Sequence, residues 1–247
     1  MADALRRGLE DALGDGPAGL FVHGAAMFPH PDAWTLDFDF HVLVAHPLGK
    51  AECDRIRDLY AALAKQSELG RHLDGYFVLL ADAARPEPPV HQLDPTVRDE
   101  AWALHRAHVH AGRYTSICGV DPRAVVPAPT WPELDAALRS ELAFIESHPA
   151  ATAFGILNGA RIVVSYARRD VVLSKYEAAH SALDALPAEW HEVLGAALRA
   201  YERAPRPADV DTLASAWAPF VSFVRAAMAV RQSGRTLPAP PRPRWRG

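Results

Sequence analysis

Two aspartates one residue apart, Asp37 and Asp39, stand in the apolar run Leu36-Asp37-Phe38-Asp39-Phe40-His41-Val42-Leu43-Val44. Residues two apart on a strand point to the same face, so the two carboxylates face one way. Adjacent carboxylates repel and raise each other's pKa. A divalent cation relieves that repulsion, and carboxylate oxygens are the ligands Mg²⁺ prefers. The same spacing also suits a hairpin whose two Asp are simply solvated on its polar face. A third carboxylate, Asp74, opens the apolar run Leu73-Asp74-Gly75-Tyr76-Phe77-Val78, where it is either chemical or a turn residue before Gly75. Upstream of the Asp pair, Gly24-Ala25 begins a loop that also holds Pro29, Pro31 and Asp32. In the C-terminal half, Arg161 and Lys175 are cations whose ordinary roles would be an ion pair and a solvated helix start, although a helix N-terminus mildly disfavours a cation.

Histidines and cysteines give weaker signals. His105, His108 and His110 lack the i, i+4 pair of a zinc helix and read as a mixed helix face. His23 and His41 read as packed or edge residues, His23 being close enough to the Gly24 loop to meet a ligand. Cys53 and Cys118 have no zinc or redox spacing and read as inert thiols.

The elements that must position these groups follow from periodicity. Leu20-Phe21-Val22 and Phe38 to Val44 read as buried strands, and 73–81 as a third. Helices are expected over 3–13, with Leu5, Leu9 and Leu13 on one face, over 50–68, and over 97–111; the Pro-rich 83–96 reads as loop. From Trp131 the pattern is helical. Leu134, Leu138, Leu142 and Ile145 form one stripe, ended by His148-Pro149. A second helix spans about 151–166. A third opens at the capping box Ser174-Lys175-Tyr176-Glu177, and a fourth starts at Pro187. A fifth runs from about 208 to 230, with a kink expected at Pro219. The expected fold is an α/β domain over 1–128 with a mixed sheet, an all-α bundle over 129–235, and a disordered Pro/Arg-rich tail over 236–247. A cleft between two such halves is a usual place for a small-molecule site.

Composition narrows the function classes. The 247 residues suffice for one or two domains with substantial cores. A net charge of −4 argues against a general nucleic-acid binder. No run of apolar residues approaches the ~20 needed to cross a bilayer, so no membrane role is expected. The N-terminus has no signal-peptide core, and the thiols need no oxidising compartment, so a cytoplasmic protein is expected, monomeric or homodimeric.

The Gly24-Ala25 loop followed by Asp37-Phe38-Asp39 resembles the Gly-Ser loop and Asp-x-Asp strand of the nucleotidyltransferase superfamily. Three further stretches, Asn158-Gly159-Ala160-Arg161-Ile162, Leu173 to Ala179, and Ala185-Leu186-Pro187-Ala188-Glu189-Trp190, resemble the C-terminal domain of the streptomycin- and spectinomycin-modifying aminoglycoside adenylyltransferases. Cys118-Gly119-Val120-Asp121-Pro122-Arg123 through Leu138 is similar to their linker. The resemblance implies that Gly24 and Ala25 line the triphosphate, that Asp37 and Asp39 hold Mg²⁺, and that Asp74 is the base toward an acceptor hydroxyl. It implies that Arg161 and Lys175 reach the ATP phosphates, and that AMP passes from ATP to a small polar acceptor such as an aminoglycoside. Two residues depart from the pattern: Ala25 and Leu36 stand where the family has Ser. Relatives that bind the cationic drugs carry acidic and aromatic residues near the start of the Arg161 helix, whereas here no carboxylate follows Glu146 before Thr152. A catalytically inactive or repurposed member that binds a nucleotide or a protein is the alternative.

Overall fold

The computed structural model describes residues 1–28, 37–149, 152–202 and 204–232. Contacts divide the chain into two units, Met1–Ala137 and Leu138–Gly247.

The first unit is built on a four-stranded mixed sheet. Its strands are β1 (Gly19–Val22), β2 (Phe38–Val44), β3 (Leu73–Leu79) and β4 (Thr115–Gly119), in the order β3-β2-β1-β4. β1 pairs antiparallel with β2 and β4, and β2 pairs parallel with β3. A parallel pair needs a crossover; here it contains α2 (Lys50–Gln66), while α1 (Ala2–Leu13) precedes the sheet. Alternation along β2 then sorts the side chains. Phe40, Val42 and Val44 enter a core with Leu5, Leu9, Ile56, Leu63 and Phe77. Leu43 enters the opposite core with Phe21, Val78 and Trp102. Asp39 and His41 share the side of Leu43, and on β3 Asp74 and Tyr76 share the side of Val78. This second side is covered by α4 (Trp102–His110), which follows a one-turn helix, α3 (Leu80–Ala83).

Several expectations shift in detail. Asp37 lies just before β2 rather than within it. The third strand ends at Leu79, where α3 takes over. β4 was not expected at all; it overlaps the stretch read as linker only at Cys118 and Gly119, ahead of α5 (Pro122–Val125), whose Pro122 occupies the first turn behind the N-cap Asp121.

The second unit is helical, as the 3.6-residue spacing requires. α6 (Trp131–Ser147) begins in the first unit and ends in the second. α7 (Thr152–Arg168), α8 (Lys175–Ala185), α9 (His191–Tyr201) and α10 (Pro207–Gln232) follow. Ser174 and Glu177 form the expected capping box. A 3-10 turn over Ala188–Trp190 precedes α9, so Pro187 caps that turn rather than α9 itself. α10 continues past Pro219. α10 packs on α7 closely enough that added Cβ atoms at Gly155 and Gly159 would meet Trp217, Phe220 and Val224. Residues 207–230 correct one expectation: they form a helix long and apolar enough, by length and composition, to cross a membrane. In this chain its Phe220, Val221, Val224 and Met228 are core residues. The tail expected to be disordered lies outside the described residues.

Candidate active site

The parallel register of β2 and β3 sets Asp39 directly opposite Asp74. Both side chains leave the same face of the sheet, because cross-strand partners point the same way. The third member of the triad sits at the margin. Asp37 is exposed, with its Oδ1 3.8 Å from His72 Nδ1.

β1 leads into the loop that meets these carboxylates. His23 N–H donates to the Asp39 carbonyl at 3.0 Å and so continues the pairing past Val22. The chain then turns sharply at Gly24 (φ 77°, ψ −156°), and Ala25–Met27 form a 3-10 turn. That backbone conformation is essentially restricted to glycine. Space restricts it as well: a Cβ at Gly24 would lie 1.8 Å from Asp39 Oδ2. The loop backbone is therefore laid against the Asp39 carboxylate. Residues 29–36, including the expected loop residues Pro29, Pro31 and Asp32 and the Leu36 departure, lie outside the described residues.

The donor set tests the fit of a divalent ion. Asp39 and Asp74 stand on one face of the sheet and Asp37 lies just ahead of β2, all hard oxygen donors of the kind Mg²⁺ takes. Glycine at position 24 adds no side chain against Asp39 Oδ2, where a Cβ would lie at 1.8 Å. The residues present fit the ion.

Arg161 and Lys175 lie in the second unit, on α7 and at the first position of α8. Arg161 Nη2 donates to Glu141 Oε2 at 3.0 Å, and the wholly buried Asn158 Nδ2 donates to the same oxygen at 2.7 Å. The ordinary role weighed for Arg161, pairing with an acidic neighbour, is thus filled by Glu141. Lys175 Nζ lies 4.4 Å from the centre of the Phe154 ring, a cation–π contact that offsets its unfavourable place at a helix N-terminus. Glu146, the last carboxylate before α7, is held by Arg225 at 2.6 Å.

A second cluster was not foreseen. His41 Nε2 and His105 Nδ1 both lie within hydrogen-bond distance of Asp99 Oδ2, at 3.0 and 2.8 Å. His41 Nδ1 is 2.8 Å from His23 Nε2. Asp99 and His41 are almost fully buried. Burial and the neighbouring His41 push the His23 pKa well below its ordinary value. Burial lowers that of His41 too, against the opposing pull of Asp99. Burial works against ionisation of Asp99, but His105 and His41 overcome it and hold its carboxyl below the usual range. The sequence signal was present in part. His41 follows Asp39 by two residues, which puts it on the same face of the sheet. Asp99 supplies the carboxylate that the histidines of α4 lacked on sequence spacing.

Comparison with known proteins places the two halves in turn. Residues 131–226 match the family model described as the aminoglycoside adenylyltransferase C-terminal domain. The mixed sheet followed by a helical region has the fold of a solved spectinomycin adenyltransferase, AAD(9) from Enterococcus faecialis, whose crystal structure holds ATP and spectinomycin. The TM-score is 0.73 at 13% sequence identity, over 92% of this chain and 97% of that one. At that identity the likeness is one of fold. No curated protein matches the chain.

Proposed function

We propose that the chain is a Mg²⁺-dependent nucleotidyltransferase that moves AMP from ATP to a hydroxyl of a small polar acceptor. The observation that carries this reading is the juxtaposition of Asp39 with Asp74 in register, with the side-chain-free Gly24 backbone laid on the Asp39 carboxylate. Asp37 and Asp39 would hold the metal, which when bound neutralises phosphate charge and aligns an in-line displacement. Gly24 and Ala25 offer backbone to the phosphates. Asp74, exposed at the head of β3, takes the proton of the acceptor hydroxyl. The acceptor oxygen forms the new bond to the α-phosphorus, the bond to the bridging oxygen breaks, and pyrophosphate leaves. The fold shared with AAD(9) supports ATP as the donor and a hydroxylated ring compound of the spectinomycin or aminoglycoside kind as the acceptor. The capture of Glu146 by Arg225 favours the less cationic members of that group, because it leaves that carboxylate engaged.

One observation favours a second reading, a nucleotide- or protein-binding module without turnover: Ala25 offers no hydroxyl to a phosphate. A lost hydrogen bond to a charged acceptor is worth about 1.5–3 kcal/mol. Titration of the purified protein with each nucleoside triphosphate plus Mg²⁺, followed by pyrophosphate release over a panel of aminoglycosides and aminocyclitols, separates the two. Selective ATP binding with acceptor-dependent pyrophosphate release is expected. Ala25→Ser should tighten ATP binding about five- to tenfold, an increment of about 1 kcal/mol or more. Absence of nucleotide binding at millimolar concentration, unrescued by Ala25→Ser, overturns the enzyme reading.

A further inference from the structure

The cluster beneath the carboxylates has the composition and geometry of a transition-metal site. His41, Asp99 and His105 each offer one ligand atom, and these atoms all lie within 4.8 Å of one another. Two of the separations are 2.8 and 3.0 Å. A tetrahedral Zn²⁺ holds nitrogen and oxygen ligands at about 2.0–2.2 Å, which spaces the ligand atoms about 3.3 Å apart. All three atoms lie within 4.8 Å of one another, so the widest pair must close by up to about 1.5 Å to reach that spacing.

We propose that His41 Nε2, Asp99 and His105 Nδ1 form a binding site for a borderline divalent transition metal of the Zn²⁺ class. The site is distinct from the oxygen-only Mg²⁺ site of Asp37 and Asp39. The donor types decide between the two metals. Imidazole nitrogens select Zn²⁺ and its neighbours over Mg²⁺, which prefers carboxylate and water.

Charge supports the assignment. A buried carboxylate needs a compensating positive charge. In the metal-free protein Asp99 is held by the His105 and His41 imidazoles, at 2.8 and 3.0 Å. Nearby arginines are engaged elsewhere. Arg106 is paired with Glu133 at 2.7 Å, and Arg98 donates to the Pro88 carbonyl at 3.1 Å. A divalent cation would satisfy Asp99 in place of an imidazolium. His105, a quarter exposed, gives the ion a route from solvent.

The site also has an outer shell. In the metal-free protein Asp99 can only accept, so His41 carries its proton on Nε2, and Nδ1 accepts from His23 Nε2–H. Ligation through the His41 Nε2 lone pair moves the proton to Nδ1, which then donates to His23 Nε2. His23, in turn, carries its own proton on Nδ1. The hydrogen bond at 2.8 Å persists with its direction reversed. An imidazole ligand whose other nitrogen is fixed by a hydrogen-bond partner is the usual arrangement at metal sites.

The test is calorimetric titration of the full chain with Zn²⁺ in millimolar Mg²⁺, paired with the visible absorption of the Co²⁺-loaded protein. Trp102 lies 5.4 Å from His41, ring centre to ring centre, so Co²⁺ should also quench its fluorescence. One Zn²⁺ per chain at micromolar concentration or below is expected, with intense visible Co²⁺ bands of four- or five-coordination. His105→Gln and Asp99→Asn should each weaken Zn²⁺ by about a hundredfold or more. His23→Gln should weaken it about ten- to a hundredfold, the range for outer-shell partners. Asp37→Asn should leave Zn²⁺ binding unchanged. Where a buried variant fails to fold, the wild-type Co²⁺ spectrum and Trp102 quenching decide the matter alone. No stoichiometric Zn²⁺ binding, affinity unchanged in folded His105→Gln, or a weak octahedral Co²⁺ spectrum without quenching would overturn the proposal.

Discussion

Gly24→Ala probes the loop and the carboxylate face in one substitution. The new methyl meets two penalties. The first is conformational: at φ 77°, ψ −156° a residue with a Cβ is strained by about 1–3 kcal/mol. The second is steric. The Cβ would fall 1.8 Å from Asp39 Oδ2 and 2.9 Å from Asp39 Cβ. Rotating the carboxylate relieves only the first contact. The spacing of β1 and β2 is fixed by the Val22–Phe40 pair and by the His23 N–H to Asp39 carbonyl bond. Asp39 must therefore swing away from the loop, and any ligand that needs both loses one. Gly112→Ala is the control, since Gly112 also has a positive φ of 74° but nothing within 4 Å of the added Cβ. It should lose only the conformational part, about 1–2 kcal/mol, and bind Mg²⁺-ATP as wild type does. Gly24→Ala should lose more stability than Gly112→Ala and at least about tenfold in Mg²⁺-ATP affinity, which corresponds to about 1.4 kcal/mol. Chemical denaturation monitored by tryptophan fluorescence and calorimetric nucleotide titration measure the two effects. A Gly24→Ala protein no less stable than Gly112→Ala, with ATP affinity within twofold of wild type, would refute the reasoning.

Three further outcomes are expected. Asp39→Asn and Asp74→Asn should each abolish acceptor-dependent pyrophosphate release while leaving the far-ultraviolet circular dichroism unchanged; turnover in either variant removes that residue from the mechanism. Glu141→Ala strands the buried Asn158 amide, which donates to Glu141 at 2.7 Å and whose Oδ1 already lacks a partner, so denaturation should show a loss of about 1–3 kcal/mol. Asp209 is depressed to a pKa of about 2 by Arg199, with its bond from the Arg206 backbone N–H adding to the effect. Its folded value lies below its unfolded one, so its stabilisation is present above about pH 4 and is lost as pH falls toward 2. Asp209→Asn should flatten the acid limb of the stability–pH profile in that window, and an unchanged limb would count against the pair.

The sequence made the carboxylate face legible because it is a local matter. Alternation along β2 and the apolar run of β3 each show a period of two, and parallel pairing then leaves little freedom in where Asp39 and Asp74 meet. The helical unit was legible for the same reason, down to the Ser174–Glu177 capping box. β4 was hidden because Thr115-Ser116-Ile117-Cys118-Gly119 is short and has no buried residue, so its strand character comes from pairing with β1 rather than from its own pattern. The histidine cluster was hidden for a different reason. His41 and Asp99 are 58 residues apart, and α4 brings His105 to them only once it is laid across the sheet. Asp37 fell outside β2 because a strand ends where its last partner does, and Leu73 pairs with Phe38, one residue later.

β2 acts as a two-sided ruler. Its even positions from 38 to 44 face grease, and its odd positions 39, 41 and 43 face chemistry and the cluster behind it. A one-residue insertion or deletion within the strand would exchange the two sides, driving Asp39 and His41 into the core of Leu5, Ile56 and Phe77 and turning Phe40 toward the loop. New specificities on this scaffold are therefore reachable by exchanging odd-numbered side chains one at a time, but not by changing the strand's length. A deep mutational scan of residues 38–44 that includes indels should show this as a comb: tolerance at alternate positions to substitutions of matching polarity, and loss for single-residue insertions or deletions.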